Sequence, residues 1–113
     1  MTMMVGFILS QQDLKDKMDE KIIDLLLAAQ RALLGEVVLS LRGVAIDWSN
    51  NTILVYFYND GDISSELRND YSCIGTEIVA SFSTAHIIEK IIRLDYPAKL
   101  PEHKYWVYRR KEV

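Results

Sequence analysis

Cysteine is almost missing from this chain, and Cys73 stands alone. One thiol can neither close an intramolecular disulfide nor fill a multi-cysteine zinc site. That usage fits a reducing compartment. Histidine is nearly as scarce, with only His86 and His103. There is no HExxH, HxH or Cys-His cluster, so a metal site would need scattered carboxylates. Neither a metal nor a cofactor is expected. Also lacking are GxGxxG, a Walker loop and GxSxG, which leaves nucleotide binding and triad hydrolysis without a motif. No apolar run approaches the length of a membrane span, so no membrane association is expected. Met1 to Leu9 reads MTMMVGFIL and has neither a basic n-region nor a small-residue cleavage site. Residues 1–12 therefore read as a leader or an extra strand rather than a signal peptide, and the expected location is the cytoplasm.

An excess of positive charge is missing too. The net charge is −3 and unevenly placed. Residues 1–80 hold six Lys and Arg against twelve Asp and Glu, while residues 81–113 hold seven against four. Affinity for nucleic acid comes mainly from neutralising phosphates, so direct nucleic-acid binding is not expected. A basic protein partner suits the acidic portion better.

What the chain does have is ordinary globular composition. It is half apolar and about a quarter charged over 113 residues. That length predicts a single domain, 1–113, able to bury a core without staples.

Leu14, Met18, Ile22, Leu25, Ala29 and Leu33 recur at three-to-four spacing, which predicts a helix from about Asp13 to Leu34. Ser10 or Asp13 would cap it, and Gly35 would stop it. Leu39 to Trp48 and Thr52 to Tyr58 are rich in β-formers and read as strands joined by an Asn50-Asn51 turn. In the second, Ile53, Val55 and Phe57 share one face and Leu54, Tyr56 and Tyr58 the other. The strand should therefore be central. Asp62 is a candidate cap for a second helix reaching about Phe82, with Ile63, Leu67, Tyr71, Ile74, Ile78 and Phe82 as its buried stripe. His86 to Tyr96 and Tyr105 to Lys111 complete the pattern as strands, the last at an edge. The order α-β-β-α-β-β predicts an α+β fold: a mainly antiparallel four-stranded sheet, built from two hairpins, with two helices on one face.

Chemistry is harder to find. Cys73 has no histidine near in sequence, and acidic neighbours oppose thiolate formation. Asp60 with Asp62, and Glu66 with Asp70, are carboxylate pairs of the kind used in acid–base work, but turn, cap and solvated-face roles account for them. Trp106 beside Arg109, Arg110 and Lys111 suggests base stacking, yet strand alternation divides these residues between two faces. The strongest pattern is acidic. From Asp47 to Ala80 there are six acids and one base, Arg68. A docking surface for a basic partner is expected there, formed by Asp60, Asp62, Glu66, Asp70 and Glu77. Tyr56, Tyr58 or Tyr71 would serve as exposed aromatic anchors, with Tyr58 the one selected.

Four segments carry a resemblance: RALLGEVVLSLRGVAIDW (31–48), DGDIS (60–64), IIRLDYP (91–97) and WVYRRKE (106–112). They resemble small bacterial immunity proteins that accompany polymorphic toxins, including contact-dependent growth inhibition systems. The resemblance spans roughly residues 20–112. It implies a non-enzymatic protein that binds the toxic C-terminal domain of a cognate toxin in the cytoplasm. Binding would occlude the toxin's active site or its substrate access, and many such toxins are nucleases with basic clefts. No binding residue is carried across by the resemblance. A second reading is an adaptor or self-associating module that pairs through a sheet edge or aromatic face. A third, ranked below it, is an enzyme, a small hydrolase or transferase using Asp60, Asp62 or Cys73.

Overall fold

Asn50 and Asn51 set the register of the sheet. Both adopt positive φ, 49° and 59°, which asparagine tolerates and a two-residue type I′ hairpin requires. The turn joins strand β1 (Leu41–Ser49) to strand β2 (Thr52–Asn59), with Ser49 opposite Thr52. The computed structural model describes residues 20–113. The expected leader or extra strand at 1–12, the candidate caps Ser10 and Asp13, and the first turns of the expected first helix lie outside the described residues.

Helix α1 occupies 20–33 of the described residues, and Gly35 follows it at φ 77° as the expected stop. Helix α2 is Ser65–Ala80, strand β3 is His86–Arg93 and strand β4 is Tyr105–Arg109. The α-β-β-α-β-β order is as expected, and β4 does lie at an edge. The sheet order is β3-β2-β1-β4. β1 pairs antiparallel with both β2 and β4, whereas β2 and β3 are parallel.

The expected second hairpin is therefore not formed. α2 carries the chain back to the start of β2, where His86 pairs with Thr52. Residues 94–104 then return it to the far edge, beside β1. The sheet is mixed, with two antiparallel pairings and one parallel.

Both helices cover one face of the sheet. Leu25, Ala29, Ala32 and Leu33 of α1 and Tyr71, Ile74 and Ile78 of α2 meet Val44, Ile46, Ile53, Val55 and Phe57 in one buried cluster. The Phe57 and Tyr71 rings stack at 4.9 Å, an arrangement worth about 1 kcal/mol beyond its buried area. β2 is central and covered, as its two apolar faces required.

The second face carries Tyr56 and Tyr58, opposite Ala45 and Gly43. His103 lies on these rings, at 4.5 Å from Tyr56 and 5.6 Å from Tyr58. Trp106 packs against β1: a Cβ at Gly43 would come within 2.8 Å of its ring. Glycine is what lets the indole approach this closely.

One carboxylate sits badly within the helix-covered side. Glu89 of β3 lies under α2, and a Cβ at Gly75 would meet its Cδ at 2.8 Å. Glu89 Oε2 has no hydrogen-bond partner. Burial pushes the Glu89 carboxyl above its ordinary range, against a smaller opposing effect of Ser72, because desolvation disfavours the charged form. A folded-state value above the unfolded one means stability is lost as pH rises through the folded value. Glu89→Met should therefore stabilise the protein by roughly 1 kcal/mol at neutral pH, and by less near pH 4.5. Urea midpoints of variant and parent across that range check this. A difference that does not widen with pH would refute it.

Candidate functional site

Ser64 starts the helix that carries most of the acidic surface. Its side chain accepts a hydrogen bond from Leu67 N at 3.0 Å, so the cap lies two residues beyond the expected Asp62. Glu66 falls in the first turn, where a carboxylate suits the positive end of the helix dipole. Tyr71, Ile74 and Ile78 turn inward. That leaves Glu66, Asp70, Cys73 and Glu77, spaced by three to four, on the outer side, all exposed.

The sequence placed six acids in one run, and the fold separates them into three places. Asp47 points to the second face, opposite Leu54. Asp60 and Asp62 flank a turn and are drawn into ion pairs. Asp60 accepts from Arg110 Nη2 at 3.0 Å and from Tyr96 N at 3.2 Å. Asp62 pairs with Arg93, which also binds Asp95 at 3.0 Å. The Asn59–Asp62 turn is where a hydrolase would need free carboxylates, and both are engaged. Glu66, Asp70 and Glu77 have no ion-pair partner among the described residues.

Asp70 and Glu77 are joined by an acid that sequence reasoning missed. Glu36, just beyond α1, lines a groove of about 210 Å³ together with Ala32, Asp70, Cys73, Ile74 and Glu77. Its floor is apolar and its charged rim is carboxylate. Such a rim offers acceptors to lysine and arginine side chains and repels phosphate. The only signal for Glu36 was its place after the helix-stopping Gly35.

The aromatic anchors are elsewhere. Tyr58 was expected as an exposed anchor, but it is 3% exposed and faces away from the helices. Its hydroxyl lies 2.6 Å from His103 Nε2. Burial raises the Tyr58 phenol pKa and lowers that of the His103 imidazole, so both stay neutral at physiological pH. Tyr71 is buried, and its hydroxyl donates to Asn59 Oδ1 at 2.6 Å. Tyr56 is half-buried on the second face.

The basic C-terminal segment is also dismantled. Arg110 turns inward to Asp60 and Glu112. Arg109 lies over the Trp106 ring at 5.1 Å. Glu112 takes a two-pronged contact from Arg42, at 2.8 and 2.9 Å, and Arg42 Nη1 donates to Leu94 O at 2.8 Å. Arg42 is only 2% exposed and sits at the bulge in β1.

No cluster of three or more His, Cys, Asp or Glu is arranged for a metal among the described residues. None of the described helices is long and apolar enough to cross a membrane. A comparison with curated proteins returns no match. A family model described as MafI2 immunity protein matches residues 22–112. That span covers every described strand and both helices apart from the first two described residues of α1, and the chain belongs to the MafI2 immunity protein family.

Proposed function

We propose that this protein protects a bacterial cell by binding the toxic C-terminal domain of a cognate toxin in the cytoplasm, and that it acts by occlusion without catalysis. Family membership gives the coarse role, toxin-neutralising immunity. The observation that carries the finer reading is the exposed, unpaired acidic surface of Glu66, Asp70 and Glu77, extended by Glu36 along the groove. Carboxylates held in this way match the basic cleft of a nuclease, whose own substrate is a polyanion. Asp60 and Asp62 hold the turn that leads to α2, their charges paired with Arg110 and Arg93.

The test is co-expression. The toxin domain encoded beside this protein is produced in cells with and without it, and the two are then purified together. Restored growth with a stable complex is expected, and the complex should abolish the domain's nuclease activity in vitro. Loss of the toxin's activity without a stable complex would overturn occlusion. Absence of both protection and complex, with both proteins folded, would overturn the pairing.

A further inference from the structure

Helix α1 is apolar on two sides. Leu25, Ala29 and Ala32 enter the core. Ile23, Leu27 and Leu34 remain 53%, 50% and 76% exposed. At 100° per residue, Ile23, Leu27 and Gln30 of α1 fall within about 60° of arc, roughly opposite the core-facing residues, and Leu34 follows in the turn that closes the helix. A surface helix normally spends its apolar residues on one face, so the outer stripe calls for a partner. It also continues into a groove lined by Gln30, Leu34, Val37 and Val107 beside the β4 edge.

We propose that this stripe is the contact surface of a homodimer in which α1 pairs antiparallel with α1 of a second copy. Two features favour a second copy over an unrelated partner. The 4-3-4 spacing of residues 23, 27, 30 and 34 is a heptad seam, the pattern that pairs helices side by side, with one polar Gln30 to fix register. Two-fold antiparallel pairing sets Ile23 against Leu34 of the second copy and Leu27 against its Gln30. The charges beside the stripe complement each other under the same operation. Asp24 and Arg31 lie on one flank of the seam, both exposed and neither in an ion pair among the described residues. Antiparallel pairing brings Asp24 of each copy near Arg31 of the other, twice per dimer. A self-complementary patch of this kind is what an isologous interface requires. The contact is small, so the dimer should be concentration-dependent, forming above roughly 10–100 µM. The Asp70–Glu77 groove is not part of the seam.

Sedimentation of the full chain from about 5 to 500 µM, spanning that expected range, tests the proposal. The parent protein should pass from monomer to dimer. Leu27→Glu should stay monomeric, with a dissociation constant raised at least tenfold. Asp24→Arg should weaken the dimer, and Asp24→Arg with Arg31→Asp should restore it. All three positions are exposed on α1, and circular dichroism confirms that each variant is folded. A parent monomeric at the highest concentration, or a dimer that Leu27→Glu leaves intact, would overturn the proposal. A dimer broken by Leu27→Glu but indifferent to both charge variants would overturn the antiparallel arrangement. A monomeric parent whose toxin binding is lost in Leu27→Glu would assign the stripe to the toxin instead.

Discussion

Glu112→Ala should lower stability by about 3 kcal/mol, which for a domain of this size moves Tm down by on the order of 10–20 °C. The reason is the charge left behind. Arg42 is almost completely buried, and its guanidinium donates two hydrogen bonds to Glu112 and one to Leu94 O. Removing the carboxylate strands that cation in a poorly solvated place, and the cost falls mainly on Arg42 rather than on the lost pair. Glu112 also accepts from Arg110, which holds Asp60. One side chain thus ties the C-terminal segment to β1, to the residues after β3 and to the turn before α2. Replacing both partners, Arg42→Met with Glu112→Leu, should cost less than Glu112→Ala alone, because no unpaired charge remains. Urea unfolding of the parent and both variants decides this. A double variant as damaged as the single one would show that the ion pair, and not the orphaned cation, supplies the stability.

The same cluster predicts acid sensitivity. Arg42 first, and Arg110 after it, holds the Glu112 carboxyl below its ordinary range. A folded-state value depressed below the unfolded one gives stability that is present above the unfolded value, near pH 4.5. It is lost as pH falls through the folded value. The parent should therefore weaken below about pH 4.5 more steeply than the double variant.

Local chemistry was legible in the sequence, and long-range pairing was not. The asparagine turn, the α2 stripe and the two-faced β2 follow from rules acting over a few residues. The Asp62 cap did not form: Ser64 caps the helix, and Asp62 pairs instead with Arg93, distant in sequence. The parallel β2–β3 pairing was hidden for the same kind of reason. His86–Arg93 has strand composition whichever neighbour it joins, and only the crossover through α2 decides. Tyr58 was assigned to the correct face, but no local pattern announces that His103 will cover it. Arg42 did leave a trace, as a cation inside the apolar run LSLRGVAIDW. Such a residue needs a buried anion, and its distance from Glu112 along the chain concealed which one.

Charge reversal on α2 should have the largest effect on function. Asp70→Lys with Glu77→Lys replaces two unpaired acids on the groove rim by bases. Against a basic toxin cleft, association at low salt should slow by roughly tenfold to a hundredfold. The parent's own rate should fall as salt is raised, converging on the variant's, because exposed charges are screened over about 10 Å at 0.1 M. Both side chains are exposed and tie nothing down, so the fold should be unaffected. Asp47→Lys is the matched control: it is also an exposed acid, but it lies on the opposite face of the sheet. Steering by net charge alone would make the three reversals equivalent per charge, whereas docking through α2 makes the two groove positions dominant. Stopped-flow association with the isolated toxin domain separates these outcomes. An unchanged rate for the α2 variant beside a slowed one for Asp47→Lys would move the docking face to Tyr56, His103 and Trp106. There the partly exposed rings lie under Lys90 and Arg109, and the rate lost on reversing Asp47 would assign the basic toxin surface to this side of the sheet.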